Sequence, residues 1–176
     1  MPARWRLPLL VLGFLSLALG VAGGLARVTY LPVLPAAITL HGPLMVSAFF
    51  GTVIALERAA ALERPWAYAA PLCAGLGGVA LLSGFALSGF ALMIVAAGVF
   101  CAASGVVVQR QPSLETWALL GGAAAWLAGN AMLVEGRAAV PWWIAFFALT
   151  IGGERLELSR YLKRGRAVRV SFAVLA

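Results

Sequence analysis

Residues 88–108 read SGFALMIVAAGVFCAASGVVV, a run without a single charged side chain. As a helix rising 1.5 Å per residue, such a run covers about 30 Å, the thickness of the hydrocarbon core of a bilayer. It carries no polar stripe at a 3.6-residue period, so it does not read as the half-wetted helix of a water-soluble domain. Outward from this run, charges, prolines and glycine clusters cut the chain into further apolar blocks of similar length. They lie at approximately 7–26, 36–56, 66–87, 114–134 and 140–162. The reading is all-α: a single polytopic transmembrane bundle of about six helices spanning 1–176. The stretch 84–89 is so short that the third and fourth spans must form a tight hairpin.

Composition agrees. The chain is 63% hydrophobic and 11% charged, with a mean hydropathy of +0.99. Soluble domains carry about 25% charged residues, so this chain has too few to cover a water-facing surface. The net charge of +7 does not point to nucleic acid, because the charges sit between the apolar blocks, where topology explains them. The lipid bilayer is the expected partner, and a bacterial inner membrane the expected location. Cys73 and Cys101 both lie inside apolar blocks, so they are no extracellular disulfide framework.

The basic residues set the orientation. With a cytoplasmic N-terminus, that side holds Arg4, Arg6, Arg58, Arg64, Arg110, Arg155, Arg160, Lys163, Arg164, Arg166 and Arg169, and the outer side only Arg27 and Arg137. The bias agrees at every loop. Trp142 and Trp143 are then expected at the outer interface, with Trp5 and Trp66 at the inner one. Residues 1–26 share a basic start and small-residue end with secretory leaders, but their apolar core is long for one. The apolar stretch 170–176, following the basic loop 163–169, reads as the opening of a seventh helix that continues past Ala176.

Close helix contacts in lipid rely on small residues. The second span has Ser47, Gly51, Ala55 and Ala59 at four-residue spacing. The fifth has Gly121, Ala125 and Gly129, and the third Gly75, Gly77 and Gly78.

Chemistry-bearing residues fall in two layers. In the outer layer, His41 is the only histidine, about one turn inside the second span. Met45 follows on the same face, and Ala48, Thr52 and Ala55 continue it with small side chains, against which a planar ligand could lie. Imidazole is a common metal and heme donor; the alternative is a helix-end histidine bonded to a neighbour. Asn130 is expected at similar depth, with Arg27, Tyr30, Glu135 and Arg137 around it. Arg27 and Arg137 suit heme propionates or another anion; ordinary interfacial pairing is the alternative.

The inner layer holds the doublets Glu57-Arg58, Glu63-Arg64 and Glu154-Arg155. His41 and Glu57 are separated by roughly 24 Å of helix. Glu154 lies about 20 Å of helical rise beyond Pro141, still within the hydrocarbon layer, where ionisable groups are costly and often functional. Ion pairing or snorkelling at a helix end is the competing reading. No CxxCH, phosphate loop, HExxH or Ser/His/Asp constellation is present, and one histidine cannot make a multi-histidine site.

The stretch His41-Gly42-Pro43-Leu44-Met45-Val46-Ser47-Ala48-Phe49-Phe50 resembles the second helix of heme–copper oxidase subunit I. It is also similar to the NnrS family of heme-containing membrane proteins. The resemblance implies an axial heme ligand at His41 and equivalent places for the second and sixth spans. Thr52–Arg58 and Thr150–Arg155 are weakly alike, as that would require. The sixth span has no histidine, so the oxidase copper site is absent. A second heme ligand would come from helices past Ala176 or from another membrane subunit.

The leading expectation is therefore a heme- or metal-binding, non-oxidase membrane subunit acting in electron transfer or in nitric oxide or metal stress. The alternatives are a small permease or channel component with Glu154, Arg155, Glu57 and Arg58 on its solute path, and a structural or assembly subunit. The topology is checked by cysteine labelling from the periplasm. Arg137→Cys is expected to react, whereas Arg64→Cys and Gly165→Cys are not. A reaction at 165 overturns the six-span arrangement.

Overall fold

The computed structural model describes residues 6–30 and 32–161. It is an all-α helix bundle with no strand among the described residues. We label the helices α1 (Arg6–Leu25), α2 (Pro35–Thr39), α3 (His41–Leu62), α4 (Pro65–Leu82), α5 (Ala86–Arg110), α6 (Leu114–Val134) and α7 (Val140–Tyr161). Five of them, α1 and α3 to α6, are long and apolar enough to cross a membrane. The sixth long helix, α7, has the length but carries Glu154, Arg155 and Glu157, so the expected six equivalent spans become five apolar helices and one charged one. The basic loop 163–169 and the stretch 170–176 lie outside the described residues.

The second expected span is corrected most. It is not one α-helix over 36–56. Five residues of α2 precede a break at Leu40, and α3 then runs on to Leu62. Pro43, which has no N–H to give the preceding turn, opens a π-helical stretch over Leu44–Phe50, and Gly51 N–H reaches five residues back to the Val46 carbonyl. The sequence supplies a reason for this underwinding. Buried residues on α3 recur in pairs four apart: Leu44, then Ser47 and Ala48, Gly51 and Thr52, Ala55 and Leu56. In an α-helix a four-residue step overshoots one turn by about 40°. Between Leu44 and Gly51 the wider π turn offsets that drift, and beyond Gly51 the pairs continue in α geometry.

Helix ends have local causes. Ser113 caps α6: its hydroxyl accepts from Thr116 N–H at 3.4 Å, while Thr116 Oγ1 accepts from Ser113 N–H at 3.1 Å. Glu115 in that first turn suits the helix dipole. The hairpin between α4 and α5 turns at Gly84, whose φ of 87° favours glycine. The third span therefore ends at Leu82, before its expected limit at 87, and α5 begins at Ala86.

Helix α3 runs through the middle. α1 and α4 pack along it, α5 touches it, and α6 and α7 complete the other side, with the α6–α7 contact the most extensive in the molecule. The main core gathers Ala55, Ala74, Ala97, Phe100, Trp126 and Phe146. Trp126 stacks on Phe146, centroids 5.5 Å apart, and meets Phe100 edge-on.

Glycines set the closest approaches. A Cβ at Gly23 of α1 would overlap the Ala37 carbonyl of α2, and one at Gly51 would overlap the Trp126 ring. At Gly23 the obstacle is backbone and cannot rotate away. We expect Gly23→Ala to lower stability by about 1–3 kcal/mol, the usual cost of overpacking. At Gly98 an added Cβ meets nothing within 4 Å, so Gly98→Ala should leave thermal unfolding in detergent unchanged or slightly raised.

Candidate functional site

Three polar groupings lie along the bundle, and the sequence-derived residues distribute among them unevenly. At the His41 end, α1 crosses α2 and α3 closely. The His41 ring lies against Gly24, 3.7 Å from where a Cβ would stand, and Met45 packs on Gly20. The shared face of His41, Met45, Ala48 and Thr52 exists, but other helices cover it. Ala48 faces Gly78 of α4, and Thr52 faces Gly13 of α1 and Gly75 of α4. Ala48 and Thr52 are fully buried. The slot that the spacing offers to a planar ligand is filled by neighbouring backbone.

The residues expected around that ligand do not gather. Arg27 is exposed and donates through Nε to the Ile38 carbonyl at 3.0 Å, next to the break at Leu40. Arg137 is exposed and pairs with Glu135 at 3.4 Å. Asn130 points into the core, with both ends of its amide engaged. Within the expected heme set, His41 Nδ1 is a buried atom with no hydrogen-bond partner among the described residues. Among the described residues no three His, Cys, Asp or Glu side chains converge to hold a metal ion.

The second grouping is the one that the sequence analysis missed as a unit. At mid-bundle Ser47 Oγ donates to Asn130 Oδ1 at 2.6 Å and accepts from Trp126 Nε1 at 3.2 Å. Asn130 Nδ2 donates to the Met93 carbonyl at 3.2 Å, and Trp143 Nε1 donates to Asn130 Oδ1 at 3.4 Å. The network joins α3, α5, α6 and α7. Trp143 is thus corrected: it is buried, not part of an interfacial belt, and sits where Gly129 leaves room for its indole. Trp142 beside it is 44% exposed, as expected of an interfacial ring. Asn130 is the only asparagine in the chain and follows Trp126 by four residues. That one-faced polar pair in an apolar helix was the available signal.

The third grouping brings Glu57, Arg58 and Glu154 together, three of its four expected members. Near the Glu63 end, α3 and α7 part and leave two adjoining recesses of about 200 and 180 Å³. Glu57, Glu154 and Glu157 line both; Arg58, Ile54 and Ala61 line one, and Leu158 the other. Phe50 of α3 meets Phe147 of α7 edge-on, centroids 4.9 Å apart. Each lies seven residues before Glu57 and Glu154 respectively, so this aromatic contact stands about two turns away from the acids on both helices. The expected acid–base doublets are not ion pairs: none joins Glu57, Arg58, Glu154 and Glu157 among the described residues. Arg58 Nε is buried without a partner. Arg155 is exposed and does not line the recesses. Glu157 does, and sequence analysis overlooked it, although it lies three residues from Glu154 on the same helix side.

A family model matches residues 6–176, almost the entire chain. The chain belongs to the DUF8744 family. Its description is a domain of unknown function. No curated protein matches, and no solved structure matches. The DUF8744 match runs through all three polar groupings, so the His41 end, the mid-bundle network and the charged cleft belong to one family unit.

Proposed function

We propose that this DUF8744 protein is a multi-pass inner-membrane protein that takes a cationic solute at the charged cleft between α3 and α7, as a small permease or channel component. The observation that carries this reading is the convergence of Glu57, Glu154 and Glu157 with one guanidinium, Arg58, on a single cleft. Carboxylates outnumber the basic group there, and a cleft with apolar walls concentrates the field of its charges. The three acids surround the space without focusing on one point, which suits an exchangeable or organic cation better than a chelated metal. The excess of basic residues at this end of the bundle supports a cytoplasmic position for the cleft. The acids sit several residues inside the ends of α3 and α7, where ionisable groups serve solute paths.

A hydrophobic carbodiimide, which reacts with carboxyl groups in apolar surroundings, tests this in native membranes. Labelling is expected in the wild type and should fall by half or more in Glu154→Gln and in Glu57→Gln. Sodium or methylammonium ions should protect, and bulky N-methylglucamine at equal ionic strength should not. Labelling that no small cation reduces overturns the reading.

One observation favours a second reading, a heme at His41: the orphaned Nδ1 leaves that imidazole free to bind. The heme would lie at the edge of the bundle and need its other axial ligand from a partner subunit or further helices. An optical spectrum of the full-length protein from heme-supplied cells decides. A Soret band lost in His41→Ala supports this reading, and a band absent from both or unchanged in the variant removes it.

A further inference from the structure

The π-helical stretch of α3 lies between two differently anchored halves of one helix. On the His41 side, α3 is clamped to α1 through Gly20 and Met45. Past Phe50, the α-helical half carries Glu57 and Arg58 into the cleft opposite Glu154 and Glu157. A π turn is an α-helix with one residue too many, held underwound. Were the stretch Leu44–Phe50 to rewind to α geometry, the half beyond it would rotate by about 100° relative to the half before it. At a Cα radius near 2.3 Å this displaces each backbone position by about 3.5 Å, and the side chains by more.

The underwound form is held by side chains. Ser47, within the π stretch, is gripped by Asn130 and Trp126, and Asn130 is itself fixed by Met93 and Trp143. Thr52, one residue past Gly51, donates to the Ala48 carbonyl within the stretch at 2.6 Å. These groups have no water to turn to in the core, so loss of one leaves its partners unpaired.

We propose that the π stretch Leu44–Phe50 is a two-state element, latched by the Ser47–Asn130–Trp126–Trp143 network, whose rewinding turns Glu57 and Arg58 out of the α3–α7 cleft. As a gate for that cleft, the proposal rests on the cleft reading given above. The rotation itself is measurable without any solute.

The experiment places spin labels at Ala61→Cys and Leu158→Cys, which line the cleft from α3 and α7, with Cys73 and Cys101 replaced by alanine. Distances are read by pulsed electron resonance in lipid. One population is expected in the otherwise wild-type chain. Ser47→Ala should add a second population at a different distance, the backbone at the α3 label having moved by about 3.5 Å and the label itself, farther from the axis, by more. Deleting Val46 removes the extra residue, so α geometry is restored with both halves in their present orientation. The deletion alone should keep the first distance, and Ser47→Ala added to it should no longer create the second. A Ser47→Ala distribution that superimposes on wild type overturns the proposal. So does a second population that persists in the deletion background, because loosening would then not need the π register. Should the deletion variant not fold, Leu9→Ala, a buried residue of α1 in a separate cluster away from the network, serves as control, and equal broadening in both variants overturns the proposal. Cation protection from carbodiimide without any rotation leaves the cleft reading standing and removes the gate; rotation without protection does the reverse.

Discussion

Helix α3 can touch so many neighbours only because its buried side is made of small residues kept in line. The π stretch brings Ser47 into line with Gly51, and from Gly51 onward Ala55 and Ala59 follow on the same side in regular α geometry. Each then admits something large or close: Trp126 over Gly51, Asn130 and the indole of Trp126 at Ser47. In a solvent as apolar as the side chains themselves, packing of this closeness and internal hydrogen bonds hold helices together, since no hydrophobic gain is left to collect. The underwound backbone therefore sets where Ser47 meets the core.

The mid-bundle network adds direction to that packing. Apolar helices slide and rotate against one another at little cost, whereas Ser47, Asn130, Trp126 and Trp143 fit together in one register. Every polar atom that these four side chains bring into the core meets a partner within the network or at the Met93 carbonyl. The close packing of α7 is on α6, and its bond from Trp143 to Asn130 ends there too, so the contact of Phe147 with Phe50 is what carries α7 onto α3. Beyond Phe147 no ring contact or hydrogen bond joins α7 to α3 among the described residues, and there the charged cleft opens.

What was legible in the sequence follows from range. Apolar blocks, charge breaks and the hairpin turn are local, and they fixed α1, α5 and α6 within two residues at each end. The small-residue stripes were also visible, but not what they face: Gly51 announces a close contact, and only the fold makes it Trp126. The interruption of α3 was half visible, since Pro43 was in plain sight while the π register depends on partners more than seventy residues away. Assigning Asn130 and Arg137 to a ligand at His41 failed for a related reason. Similar depth in a membrane does not bring residues together, because two helices at one level can face different neighbours. The pairing of Glu57 with Glu154 was recoverable because each sits in a Glu-Arg doublet near the same end of its helix.

The charges on α7 bear on how the chain is put into a membrane. A segment holding Glu154, Arg155 and Glu157 partitions into lipid poorly on its own, at a cost of up to about 3 kcal/mol for each ionised group placed centrally. Helix α6 before it is apolar enough to enter unaided, and it offers α7 a matching surface where Gly129 receives Trp143 and Gly122 receives Thr150. The turn at Gly136 between them is short. The pair α6–α7 therefore meets a membrane as a helical hairpin with one apolar arm and one charged arm.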